Sequence, residues 1–296
     1  MKIIVTGSLG NISKPIVQKL IAANHDVTVI SSNAARKVEI EALGANAAIG
    51  SVSDLAFLTE TFKGADVVYT MVPPTFSALN WKKHIASIGK NYAKAIAAAG
   101  VKNVVNLSSI GAHMADGCGP VSGLYYVEEA LNSLEGVNVK HLRPGFFYYN
   151  FLNNAGMAKH MGIIGGNYGE GAKLAIADTS DIADVAANEL ASLSFVGKSI
   201  YYIVSDEKTT DEVAAIFGKA IGKPDLKWVN FSDEDTLGGM LKNGIPEDIA
   251  KNYTEMGAAM RSGEMAKEYN NSQSVTHGKS SLESFAPVFE AAYAQA

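Results

Sequence analysis

The apolar run Ile3–Thr6 leads directly into Gly7–Ser8–Leu9–Gly10–Asn11–Ile12–Ser13. Two glycines at this spacing after a strand suit the binding of a pyrophosphate. Gly7 makes the tight turn, Gly10 lets the backbone approach the anion, and the following helix points its free N–H groups at it. The third position of such a turn usually holds glycine so that helix and strand pack closely; here it is Ser13, which is small enough to substitute. Pro15 fits the first helical turn, where its missing N–H costs nothing. On the motif alone, an ordinary strand–turn–helix explains the residues equally well. Its place after the first strand and inside a βαβ unit favours a dinucleotide.

A second group follows the next apolar run. A site for NAD would place a carboxylate there to hold the ribose 2′-hydroxyl. The segment Ser31–Ser32–Asn33–Ala34–Ala35–Arg36–Lys37 has none. Two hydroxyls, an amide and two cations suit a 2′-phosphate, so the expected cofactor is NADP(H), with NAD(H) less favoured. A polar helix cap followed by solvated cations is the other reading of the same residues.

These groups need a scaffold at their backs. Apolar runs recur at Ile3–Thr6, Val27–Ile30, Ala47–Ile49, Val67–Met71, Val104–Leu107, Val139–Leu142 and Ile200–Val204. Amphipathic stretches such as Pro15–Ala23, Asp54–Phe62 and Trp81–Ala99 separate them, with Ile85, Ile88, Tyr92 and Ile96 at helical spacing. Gly44, Gly64, Gly100 and Gly136 stand where these helices should stop. The alternation predicts an α/β fold, a Rossmann-type doubly wound parallel sheet. After Leu142 the rhythm breaks into a segment rich in glycine, aromatics and asparagine. We expect a dinucleotide-binding domain over 1–150, with 174–205 returning to the sheet. A smaller, mostly helical substrate lobe would comprise 151–173 and 206–296.

Composition narrows the classes. With 296 residues, 47% hydrophobic and 19% charged, the chain can bury a sizeable core. A net charge of −5 and no basic stripe argue against nucleic acid as a partner. No apolar stretch is long enough to span a bilayer. Cys118, the single cysteine, excludes an internal disulfide and suits a reducing cytoplasm. The six histidines are scattered without zinc-ligand spacing, so no metal is expected. Monomer and homodimer both remain open.

Five segments in one order carry a resemblance: TGSLGNIS, Gly50–Asp54, NLSSIGAH, HLRPGFFYYN and DTSDIADVAA, with SLESFAPVFEAAY near the C-terminus. The chain resembles the NmrA-like family of atypical short-chain dehydrogenases. That family includes NAD(P)H quinone and azo reductases, isoflavone-type reductases, and redox-sensing regulators without known catalysis. The resemblance implies that Gly7, Leu9, Gly10, Asn11 and Ile12 form the phosphate turn. It places Ser32, Asn33 and Arg36 at the 2′-phosphate, and Ser51 and Val52 on the adenine side. Met71, Val72, Pro73 and Pro74 would border the ribose and nicotinamide. Pro144, Gly145, Phe146 and Phe147 would lie beside the nicotinamide ring, and Ser108 is a further expected cofactor contact. Phe76, Tyr148 and Tyr149 are expected to face a planar small-molecule substrate.

One departure bears on the chemistry. Short-chain dehydrogenases commonly use Tyr-x-x-x-Lys, the lysine lowering the tyrosine pKa so that it exchanges a proton near neutrality. Here Tyr125 is followed four residues later by Glu129. Ser109 or Ser108 could still orient a carbonyl, and His113 is a further candidate acid. Val127 and Leu131 should face inward on this helix, with Glu128 and Glu129 outward. Reducing a simple ketone creates a strongly basic alkoxide, whereas a quinone yields a weakly basic anion that takes its proton from water. The expected activity is therefore NADPH-dependent reduction of a planar conjugated acceptor such as a quinone. The alternative is a regulator that binds NADP(H) without turnover. An isomerase or epimerase is weaker, because that chemistry leans harder on the Tyr–Lys pair.

Overall fold

A computed structural model describes residues 1–296. The first half runs β1 (Lys2–Val5), α1 (Ser13–Ala22), β2 (Asp26–Ser31), α2 (Lys37–Ala42), β3 (Asn46–Ile49), α3 (Leu55–Phe62), β4 (Val67–Thr70), α4 (Trp81–Ala99), β5 (Asn103–Leu107), α5 (Pro120–Asn132) and β6 (Asn138–Pro144). Next come β7 (Phe146–Phe147), α6 (Ala155–Met161), β8 (Ile163–Gly166), β9 (Lys173–Ala177), α7 (Thr179–Ser192) and β10 (Lys198–Val204). The chain closes with β11 (Asp206–Thr209), α8 (Thr210–Ala220), β12 (Lys227–Asn230), α9 (Asp233–Lys242), α10 (Glu247–Ser262), α11 (Lys267–Asn270), β13 (Val275–His277) and α12 (Leu282–Gln295).

Eight strands form one sheet in the order β13-β10-β6-β5-β4-β1-β2-β3. Every neighbouring pair is parallel. The strands read as continuous apolar runs because helices cover both faces. Successive side chains divide between the layers. Ile3, Val5, Val67 and Tyr69 pack with α1 and α7, while Ile4, Val68 and Val104 pack with α3, α4 and α5. Two glycines let α4 and α5 cross closely. A Cβ on Gly89 would stand 2.7 Å from the Val127 Cα, and one on Gly123 would stand 2.7 Å from the Ile85 Cβ.

The smaller lobe carries more strand than expected: a three-stranded sheet ordered β11-β9-β7 and a parallel pair of β12 with β8. These segments are short and lack a repeating pattern, so periodicity does not reveal them. Of the segment 174–205 expected to return to the large sheet, only Lys198–Val204 joins it as a strand, because Lys173–Ala177 pairs instead with β11 and β7. Val275–His277, expected in the lobe, pairs with Tyr202–Val204 as the eighth strand.

A buried polar chain ties β4, β5, β6 and α5 together. Thr70 Oγ1 donates to Asn106 Oδ1 at 2.9 Å, which turns the Asn106 amide nitrogen toward His141 Nδ1 at 3.1 Å. His141 Nε2 therefore carries the proton, facing Asn132 Oδ1 at 2.9 Å. Burial pushes the His141 pKa down to about 4. The unfolded chain takes up this proton first as the pH falls below about 6.5, so stability is full above that pH and is lost on the way to 4. Urea unfolding at pH 7 and pH 4.5 should show His141→Gln losing less with acid than wild type does, by about 2–3 kcal/mol. Equal acid losses would mean that His141 titrates normally.

Candidate functional site

The loops at the carboxyl ends of β1, β2, β4, β5 and β6 converge, the usual ligand crevice of an open parallel sheet. At its centre lies the glycine turn. Gly7 has φ +89°, and a Cβ there would meet Ser13 Oγ at 2.5 Å and the Met71 side chain at 2.9 Å. Ser13 is buried and donates to the Thr6 carbonyl at 3.0 Å, so serine at the third position braces the turn by a hydrogen bond. Gly10 differs from Gly7: its φ is not positive, and a Cβ would touch only the Gly7 carbonyl, at 3.3 Å. That contact is tight but asks the turn to give only a few tenths of an ångström, so the fold's own case for glycine is weaker at position 10 than at position 7. α1 starts without a side-chain cap, and the N–H groups of Asn11 and Ile12 donate to no backbone carbonyl. Bare donors at a helix start, beside an open Cα, fit a pyrophosphate.

At the end of β2, Ser8 adopts φ +55° and its hydroxyl donates to Ser31 Oγ at 2.9 Å. Asn33 Oδ1 accepts the Ala35 N–H at 2.9 Å, while Ser32 is exposed. Arg36 is paired with Glu39 on α2. A carboxylate absent from the end of β2 in sequence thus meets Arg36 from the next helix. Gly50 N–H donates to the Ser31 carbonyl at 2.9 Å, carrying exposed Ser51 and half-buried Val52 beside this pocket.

The loop after β4 is fastened to the glycine turn. The Met71 N–H donates to Thr6 Oγ1 at 2.8 Å, and Tyr92 Oη donates to the Met71 carbonyl at 2.6 Å. Val72 and Pro73 are half-buried and Pro74 is exposed. Phe76 is also exposed, and its ring meets Trp81, which in turn meets Tyr253 of α10. Trp81 and Tyr253 were not expected here. Only Trp81 had a signal, as a large aromatic at the start of a helix leaving the crevice.

After β5, Ser108 donates to Glu128, and the helix placement expected for that residue is corrected. Glu128 is buried, not outward: Arg143 grips it by Nη2 at 2.7 Å and Nε at 3.0 Å. Arg143 also reaches Glu268 of α11 at 2.6 Å and Tyr202 at 3.0 Å. A charged arginine inside a core strand demands a buried counter-ion. Glu128 supplies it from fifteen residues away, a pairing invisible along the helix. Ser109 donates to the neighbouring Ile110 carbonyl, and Tyr125 packs edge-on against Tyr126. Both ring nitrogens of His113 are buried without a hydrogen bond, Nδ1 standing 3.9 Å from Glu268.

Beyond β6 the aromatic run divides. Pro144 and Gly145 are buried, and a Cβ on Gly145 would strike the Ala175 carbonyl at 2.5 Å. Phe146 is 7% exposed and packs on Phe151 and Tyr168 in the lobe core, and Phe147 is half-buried. Tyr148 is corrected from a substrate surface to a core residue: it is fully buried and donates to the Ser280 carbonyl at 2.9 Å. Tyr149 is the exposed ring, against Phe285, in a hollow shared with Asn11, Pro15 and Asp178.

The sequence signature of the NmrA-like family matches residues 1–286. The chain belongs to this family. Among curated proteins, this NmrA-like chain is 26% identical over 256 residues to the NAD(P)H azoreductase of Xenophilus azovorans, covering 86% of this chain and 85% of that one. The triphenylmethane reductase of Citrobacter sp., solved with NADP(H), has TM-score 0.81 at 21% identity, covering 98% of this chain and all of that one. The NADPH-dependent quinone oxidoreductase of Escherichia coli, solved with NADPH, has TM-score 0.77 at 23% identity, covering 96% and 98%. Around the expected site residues of this NmrA-like chain, the structure adds partners that the sequence did not reveal: Glu39 on Arg36, Glu128 on Ser108 and Arg143, and Trp81 and Tyr253 behind Phe76.

Proposed function

We propose that this chain is an NADPH-dependent reductase of planar conjugated acceptors such as quinones. The observation that carries the reading is the start of α1, where the N–H groups of Asn11 and Ile12 stand free of any acceptor beside Gly10, a glycine that the fold requires less than Gly7. The NADP(H)-bound structural neighbours and the azoreductase relative support the choice of cofactor class. Bound NADPH supplies a hydride from its nicotinamide ring. The chain's own residues then decide which acceptors can follow. The single proton of the Ser108 hydroxyl is committed to Glu128, so Ser108 has only lone pairs left to offer. Ser109 is committed to a backbone carbonyl, and no lysine stands four residues after Tyr125. Neither serine is free to protonate an alkoxide and Tyr125 lacks its lysine, which leaves His113, with both ring nitrogens unpaired, as the one untied candidate. A hydroquinone anion needs none of them, because it draws its proton from water.

NADPH oxidation measured with quinones, azo dyes and simple ketones tests this. Turnover of the conjugated acceptors and none of the ketones is the expected result. Tyr125→Phe should alter quinone turnover by less than about threefold, against the roughly 10²–10⁴-fold loss that removal of a general acid brings. A loss of that larger size would identify Tyr125 as the donor. Tight nucleotide binding without turnover of any acceptor would replace the reductase with a non-catalytic NADP(H)-binding regulator.

A further inference from the structure

We propose that Glu39 sets the nucleotide preference of this crevice, by competing with a ribose 2′-phosphate for Lys14 and Arg36. The inference rests on the reading of the crevice as a nicotinamide dinucleotide site. Lys14 lies in the first turn of α1, next to the glycine turn, and Arg36 lies in the short turn that follows β2. Both reach the same carboxylate from opposite sides: Lys14 Nζ is 3.2 Å from Glu39 Oε1, and Arg36 Nη1 contacts Oε2. Arg36 first, then Lys14, hold the Glu39 pKa below the ordinary glutamate value, so the carboxylate stays charged at neutral pH.

The cluster carries two positive charges and one negative. A phosphate monoester brings roughly −1.5 to −2 at pH 7 and has to take both cations from Glu39, while its own charge faces the carboxylate. An unphosphorylated ribose makes neither demand. Glu39 therefore costs NADPH affinity and leaves NADH almost untouched, which narrows the gap between the two nucleotides. All three side chains are between 39% and 47% exposed, so solvent screens the competition and substitutions there leave the fold alone.

Isothermal titration of the full-length protein with NADPH and with NADH measures this directly. Glu39→Gln should tighten NADPH about five- to tenfold and change NADH by less than about twofold. In 0.5 M salt the gain should shrink, and in Glu39→Gln with Lys14→Met and Arg36→Met it should vanish. Unchanged or weaker NADPH binding in Glu39→Gln overturns the proposal, as does an equal shift for both nucleotides. Wild-type protein that binds neither nucleotide overturns the functional reading itself and Glu39's role with it.

Discussion

Gly10→Val should weaken NADPH binding by about a hundredfold or more while the protein stays folded. The contrast with Gly7 makes the expectation sharp. A side chain at Gly7 is forbidden from inside, by its positive φ and by the Ser13 and Met71 atoms against it. Gly7→Ala should therefore lower stability first and binding only as a result. At Gly10 the φ angle suits an L side chain, and the single near neighbour, the Gly7 carbonyl at 3.3 Å, has to give only a few tenths of an ångström. What a valine there fills is the approach to the bare N–H groups of Asn11 and Ile12. Titration with NADPH alongside thermal unfolding separates the cases. Lost binding with a melting temperature within about 2 °C of wild type is the expected pair of results. Retained binding in a folded variant would reduce the opening turn to ordinary strand–turn–helix geometry.

The largest stability effect should come from Arg143→Met. Its removal leaves the Glu128 carboxylate inside the protein with only the Ser108 hydroxyl for company, and frees Glu268. Breaking one side of a buried ion pair costs about 3–5 kcal/mol, because the remaining charge has lost its partner. Replacing both residues, as Glu128→Leu with Arg143→Met, should recover part of that loss. The remainder reflects the unsatisfied Ser108 hydroxyl, about 1–3 kcal/mol. Urea unfolding of the three variants gives the comparison. A loss below about 1 kcal/mol in Arg143→Met would show that Glu128 finds another cation or water.

The same pair shows where sequence reading succeeds and where it stops. Seven of the eight strands of the large sheet are legible because burial on both faces leaves apolar runs such as Val67–Tyr69, and only Val275–His277 escapes notice. The glycine turn is legible because its spacing is local. Glu128 is not, since a helix displays its own periodicity and hides a partner on a distant strand. The signal was in the strand: Arg143 sits where His141 and Leu142 are also buried, and such an arginine has to be answered by a carboxylate. The run Phe146–Phe151 misleads for another reason. Alternation holds along a strand, but Tyr148–Asn154 coils into a 3₁₀ turn, which carries Tyr148 and Phe151 inward and leaves Tyr149 out.

The strand Val275–His277 has a consequence for how the molecule is made. The lobe elements β11 to α11 lie between β10 and β13 in the chain, so the sheet's eighth strand is synthesised well after its neighbour. Until then β10 waits as an unpaired hydrophobic edge, open to strand exchange with other nascent chains. Once β13 arrives it is clamped at its exit: Gly278 N–H donates to the Val204 carbonyl, and the N–H groups of Lys279 and Ser280 donate to buried Asp181. The dinucleotide half of the protein can gather its early strands during synthesis, but its outer border is sealed only once Val275–His277 has been made.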